Sequence, residues 1–163
     1  MKLPIINLDK PFVMPRRGHI NDVGLDLAVP SDGELKPGMN VIGLGYGIKV
    51  PVGYIASVYD RSSMATGSCT LDMVISSDDV LVKDIEPNGI PLMSMNPPID
   101  PDYIGEIHLF IFNTSKYTIK YSKGDRLGQL IIHPITYADP MIIEKELKRT
   151  DGWSGSTGVN TEK

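Results

Sequence analysis

Five short segments of this 163-residue chain each combine a tight-turn residue with a charged or hydroxylic side chain. They are Gly24-Leu25-Asp26-Leu27, Asp60-Arg61-Ser62-Ser63, Ile99-Asp100-Pro101-Asp102-Tyr103-Ile104-Gly105-Glu106, Gly124-Asp125-Arg126-Leu127-Gly128-Gln129 and Gly152-Trp153-Ser154-Gly155-Ser156-Thr157-Gly158. Arg61, Arg126 and Arg149 lie beside small residues and glycine in three separate stretches. Guanidinium groups present forked donors that match phosphate oxygens, and glycine lets a backbone approach an anion closely, so these segments, brought together, would make a phosphate site. Taken singly each has a plain structural reading: Asp26 as a turn cap, Gly124-Asp125-Arg126 as a hairpin turn with a structural ion pair, Arg126 as scaffold.

Charge and composition narrow the chemistry. With 16 Lys and Arg against 20 Asp and Glu the formal net charge is −4, which argues against a nucleic-acid polymer or an anionic membrane as partner. An anionic ligand must therefore be held locally. Cys69 is the single cysteine, so there is no intrachain disulfide framework and no zinc site built on cysteine pairs. His19, His108 and His133 have no metal-ligand spacing and read as strand or surface residues. No apolar run approaches the ~20 residues that cross a bilayer, and residues 1–7 are too brief for a signal-peptide core, so the expected location is cytoplasmic.

The elements that must carry these segments read as strands. Residues 41–50 and 54–59 follow a period of two, and 107–112 is a short apolar run expected to be buried on both faces. Residues 117–121 and 127–135 suggest a hairpin about the Ser122-Lys123-Gly124-Asp125 turn. Residues 141–147 fit either a strand or a short helix, and 62–67 allows barely one helical turn. Sixteen glycines and thirteen prolines scattered along the chain agree with many short strands joined by turns. The expected fold is all-β, an antiparallel barrel or sandwich with a jelly roll among the options. It would form one domain over 1–148, with an acidic and apolar arm at about 67–96, followed by a flexible glycine-rich tail over 149–163.

In this order, and over nearly the whole chain, the five segments resemble the motifs of the trimeric dUTPase family. A small residue and Gly-x-Asp-Leu correspond to 23–27, Arg-Ser-Ser to 61–63, Ile-Asp-x-x-Tyr-x-Gly to 99–105 and Gly-Asp-Arg-x-x-Gln to 124–129. Gly-Ser-Thr-Gly corresponds to 155–158, with Arg149 opening the last motif. The resemblance implies a jelly-roll-like distorted barrel that forms a homotrimer, each active site built from several subunits, and hydrolysis of dUTP to dUMP and pyrophosphate with Mg²⁺. Asp100 would deprotonate the attacking water, with Asp102 as the alternative that the motif spacing disfavours. Ser62 would donate to the α–β bridging oxygen, beside Arg61 and Ser63 of the same motif, and Gln129 would contact phosphate or the water. Tyr103 would pack on the deoxyribose, and Asp26 would hold the metal through its water shell. Arg149, Gly155, Ser156 and Thr157 would close over the phosphates, and Trp153 would stack on the base from one position before the family's aromatic, which falls at Ser154.

The chain also departs from the family. Ser63 to Asp100 spans 37 positions, lengthening the hairpin that selects uracil. Pro97 replaces a glycine, Ser94 stands where an asparagine is expected with Asn96 nearby, and Asp60 stands where proline is frequent. A related deaminase activity needs a glutamate where this chain has Phe110. The lengthened arm suggests a phage origin and two alternatives: a diphosphatase for another pyrimidine deoxynucleotide, or a nucleotide-switched module that binds a protein partner through 67–96.

Overall fold

A computed structural model of the chain describes residues 1–65 and 92–142. Within them ten short strands and one helical turn are arranged as four antiparallel sheets. β1 (Ile5–Asn7) pairs with β5 (Tyr46–Ile48), and β3 (Gly33–Leu35) pairs with β9 (Ile119–Tyr121). β10 (Arg126–Pro134) lies between β2 (Leu25–Ala28) and β6 (Tyr54–Tyr59). β8 (His108–Asn113) lies between β4 (Gly38–Gly43) and β7 (Leu92–Ser94). Sequence neighbours are mostly not sheet neighbours, so the strands wrap one core as in a jelly roll. Leu27, Leu35, Leu44, Ile48, Leu109, Ile111, Ile119 and Leu127 form the centre of that core.

Three expectations are corrected. The stretch 41–50 is not one strand: Gly45 has φ 80°, and a methyl group there would strike the Pro11 carbonyl, so the chain turns and divides into β4 and β5. The run 107–112 is not buried on both faces. Leu109, Ile111 and Asn113 point inward while Phe112 is 38% exposed, because successive strand residues face opposite sides. Residues 117–121 and 127–135 do not pair with each other: β9 pairs with β3, and β10 with β2 and β6. The tight turn between them is real, with Gly124 at φ 93° and the Ser122 amide donating to Asp125 Oδ2 at 2.7 Å. It redirects the chain from one sheet to another. The helical turn at 62–67 is present as α1 (Ser62–Ala65), pinned by fully buried Met64.

Asn113 is a buried polar residue in that core, and its amide is fully used. Nδ2 donates to the Leu35 and Tyr117 carbonyls at 3.0 and 2.7 Å, and Oδ1 accepts from the amide and hydroxyl of Ser115 at 3.0 and 2.8 Å. The outer face of the β4-β8-β7 sheet is apolar: Met39, Phe112 and Met93 stand side by side in register, next to exposed Val41 and Met95. Among the described residues no helix is long and apolar enough to cross a membrane. Most of the arm 67–96, the whole tail 149–163 and residues 143–147 of the 141–147 stretch lie outside the described residues.

Candidate functional site

Strand register brings three of the five segments together. Gln129 on β10 stands opposite Asp26 on β2 and opposite Tyr59 at the end of β6, where the chain runs on into Asp60, Arg61 and Ser62. Gly24 lies close beside them: a methyl group there would lie 2.5 Å from the Gln129 amide oxygen and 3.2 Å from its Cβ, so the glutamine would have to shift. With that space open, Gln129 Nε2 donates to the Asp60 carbonyl at 2.8 Å. Asp26 is mostly buried and accepts from two guanidinium groups, Arg61 Nε at 3.0 Å on Oδ1 and Arg126 Nη1 at 2.9 Å on Oδ2. These residues line a basin of about 300 Å³ with Ser62, Gly24 and the loop residues Gly18, His19, Asp22 and Val23. Two arginines, each holding one Asp26 oxygen, put guanidinium donors at the basin, a donor type suited to an anion with several oxygens, while Asp22 adds a second carboxylate to the lining.

The third motif builds a second cavity. Ile99 exchanges backbone hydrogen bonds with Ala56 at 2.8 and 3.1 Å, which anchors the segment to β6. The next four residues form a turn in which the Tyr103 amide donates to the Asp100 carbonyl at 3.1 Å, with Pro101 at the position where its fixed φ is favoured. This is why aspartate and tyrosine need two residues between them. Tyr103 then folds back so that its hydroxyl donates to the Glu106 carbonyl at 2.7 Å. A methyl group on Gly105 would lie 2.7 Å from that hydroxyl oxygen and 2.8 Å from the ring, which accounts for the motif's final glycine. Asp100 and Tyr103 line a cleft of about 250 Å³ with Asn96, Pro97, Ile99 and Phe110. Glu106 and His108 also line it. Glu106 is gripped by Lys10 and by the Gly45 amide at 2.8 Å; the Lys10 ammonium, opposed by burial and helped by that amide, holds its carboxyl below the usual range.

The basin and the cleft share no lining residue. Asp26, Arg61, Ser62 and Gln129 meet in the first, Asp100 and Tyr103 in the second. Ser63 follows in α1, half-buried. Arg149, Trp153, Gly155, Ser156 and Thr157 lie outside the described residues.

The sequence pattern of the family described as dUTPase matches residues 93–158. The deoxyuridine 5'-triphosphate nucleotidohydrolase of Corynebacterium jeikeium is 30% identical over 164 residues, covering 96% of this chain and 93% of that protein. Its counterpart in Corynebacterium glutamicum is 29% identical over 160 residues, covering 96% and 94%. The chain belongs to the dUTPase family. The fold agrees: a dUTPase of Staphylococcus bacteriophage 80alpha, as a point mutant with dUpNHpp, superposes with a TM-score of 0.73 at 21% identity, covering 97% of this chain and 99% of that one. A point mutant of the dUTPase from phage phi11 of S. aureus, which coordinates a structural Mg(II) ion, gives 0.68 at 21% identity, covering 89% and 98%.

Within this dUTPase fold one detail differs from the reading of the sequence and another adds to it. Arg126 is scaffold in the sense that it completes an ion pair, but its partner is Asp26 and not the adjacent Asp125, and it lines the basin. Asn96, nearby as a substitute for the base-reading asparagine, lines the cleft and is tied to the scaffold: its Oδ1 accepts from the Phe110 amide at 2.9 Å and its Nδ2 donates to Ser94 Oγ at 2.6 Å. Nothing in the local sequence marks the Lys10–Glu106 pair, whose members are 96 positions apart.

The donor set can be tested against Mg²⁺. No group of three or more His, Cys, Asp or Glu side chains is placed to hold a metal among the described residues. Both Asp26 oxygens already face arginines, though a carboxylate keeps further lone pairs. This fits an ion that takes phosphate oxygens and water as its direct ligands and touches the protein through that water, as Mg²⁺ commonly does. Among the described residues it does not fit a resident all-protein metal cage.

Proposed function

We propose that this chain hydrolyses dUTP to dUMP and pyrophosphate, its basin gripping the phosphates and its cleft holding the deoxynucleoside. Support comes from its family and from one observation above all: Asp26, Arg61, Ser62, Gln129 and Arg126 converge on one basin, while one turn holds Asp100 and Tyr103 in an apolar cleft. A water oxygen attacks the α-phosphorus and its proton passes to the Asp100 carboxylate. The bond to the α–β bridging oxygen breaks, and pyrophosphate leaves as the Ser62 hydroxyl donates to that oxygen. Arg61 and Arg126 turn from Asp26 towards phosphate, and Gln129 orients phosphate or the water. Asp26 would hold a Mg²⁺ ion through its water shell, and the ion would supply positive charge to offset that of the triphosphate. Tyr103 offers its ring to the sugar, its hydroxyl being held by Glu106.

The complete site is composite. The two cavities hold different halves of the machinery, and the exposed Met39-Phe112-Met93 face is the kind of surface that a second copy covers. We take the assembly to be a homotrimer in which one copy supplies a basin and its neighbour a cleft. The tail 149–163, with Arg149, Trp153, Gly155, Ser156 and Thr157, closes over the bound nucleotide as a segment separate from the 1–148 domain. The arm 67–96 supports a second reading. The phage 80alpha dUTPases are described as controlling transfer of virulence genes by a G protein-like mechanism, and a protein partner at this arm would make nucleotide a switch here too.

Pyrophosphate release with Mg²⁺ across dUTP, dCTP, dTTP, dATP, dGTP and UTP, alongside Asp100→Asn, tests the activity. Turnover of dUTP that the variant abolishes is expected. Preference for another pyrimidine would keep the mechanism and change the substrate, and no turnover would leave the binding-module reading. Deleting the arm separates the roles, since unchanged hydrolysis would leave it available to a partner.

A further inference from the structure

Asp60 touches neither cavity, yet it lies between them, and its side chain is used in a way that proline at this position would forbid. Its Oδ1 accepts from the Ser94 backbone amide at 2.6 Å, while its own carbonyl accepts from Gln129 Nε2 at 2.8 Å. Ser94 ends β7, whose other edge pairs with β8, so the Asp60 carboxylate occupies the outward edge of the strand. From Ser94 the contacts continue: Ser94 Oγ accepts from Asn96 Nδ2 at 2.6 Å, and Asn96 Oδ1 accepts from the Phe110 amide at 2.9 Å. Asn96 and Phe110 line the cleft, and Gln129 lines the basin.

We propose that Asp60 is a positioning residue for base selection: its carboxylate fixes the end of β7, and through Ser94 and Asn96 it sets the wall of the cleft against which the base is read. The inference deepens the dUTPase reading and rests on it. Residues 92–96 follow the lengthened arm directly, so the strand they form needs an anchor at that end, and a hydrogen bond from an amide to an ionised carboxylate is among the stronger ones available. Because each end of the Asn96 amide is tied to the scaffold by one hydrogen bond, the place of Asn96 in the wall, and of the donor and lone pair it keeps, follows the end of β7. Asp60→Ala removes the acceptor and leaves the Gln129 contact, which uses the Asp60 backbone, in place. Asp60→Asn keeps an oxygen in the same position.

The test compares kcat/KM for dUTP, dCTP and dTTP in the unaltered protein, Asp60→Ala and Asp60→Asn, with amide hydrogen exchange read over peptides containing Ser94. Asp60→Ala is expected to narrow the preference for dUTP about tenfold and to speed exchange at Ser94, while Asp60→Asn keeps the preference within about twofold. Unchanged selectivity in Asp60→Ala would overturn the proposal, as would equal loss in both variants, since the second retains the acceptor. If the unaltered protein turns over no dUTP, the dUTPase reading fails and this inference with it. Turnover with unmoved selectivity defeats this inference alone.

Discussion

Gly105→Ala is a change of one methyl group whose effect the structure places on a residue two positions away. Gly105 has no positive φ among the described glycines, so alanine meets no backbone strain there. The added carbon instead lies 2.7 Å from the Tyr103 hydroxyl oxygen and 2.8 Å from its Cζ. An ordinary contact is about 3.5 Å, so the ring must retreat by about 0.8 Å, enough to stretch the 2.7 Å bond to the Glu106 carbonyl beyond useful length. Losing that bond costs about 0.5–1.5 kcal/mol and an off-rotamer ring a similar amount, about 1–3 kcal/mol together, or roughly a 5- to 150-fold fall in kcat/KM for dUTP. Tyr103→Phe, which loses the bond alone, is expected to fall only about fivefold. The deciding assay is a double-mutant cycle by steady-state pyrophosphate release. Once Tyr103→Ala has removed the ring, Gly105→Ala should cost nothing further. Additive losses would refute the reasoning, because they would mean that Gly105 acts through something other than the tyrosine.

Asp26→Asn leaves two guanidinium groups facing a neutral amide and should lower kcat/KM by about 10- to 150-fold, measured by the same assay; an unaffected enzyme would remove Asp26 from the site. The Glu106 carboxyl is held below its ordinary value of 4.5, so the stability it contributes is full above that pH and is lost as pH falls through the lower folded value. Urea unfolding from pH 6 to pH 3 should therefore show the unaltered protein losing its margin over Glu106→Gln as the pH drops below about 4.5. Tyr46 is fully buried, burial raises its pKa so that it stays neutral, and its hydroxyl has no hydrogen-bond partner among the described residues. Tyr46→Phe should stabilise by about 1 kcal/mol, a rise in melting temperature of a few degrees, and a fall would show that the hydroxyl is satisfied. Phe112→Glu on the apolar outer face should reduce both assembly in sedimentation and activity together.

Two of the segments were legible because each is a short run whose spacing has a local cause. Asp100 and Tyr103 are the ends of one turn, and Gly105 is where the ring folds back. Ser62 opens α1 three residues after the end of β6. The strand at 54–59 was equally legible from its alternation. What escaped depends on partners distant in sequence. Arg126 meets Asp26 only because β10 pairs with β2 in one register, 100 positions apart. The break at Gly45 is set by the Pro11 backbone, and the role of Asp60 by an amide 34 positions later. The hairpin expected from the turn at Gly124 failed because a tight turn fixes a change of direction and says nothing about which strand is waiting to pair.

The central claim is that the basin and the cleft are two halves of one site contributed by different copies. Asp26→Asn and Asp100→Asn, each purified inactive, would be mixed in equal amounts, unfolded, refolded together and assayed for pyrophosphate release from dUTP. Random assembly pairs an intact basin with an intact cleft at about one site in four, so recovery of about a quarter of the unaltered activity is expected. A mixture as inactive as its components would contradict the account, since it would place both residues in a site that one chain builds alone.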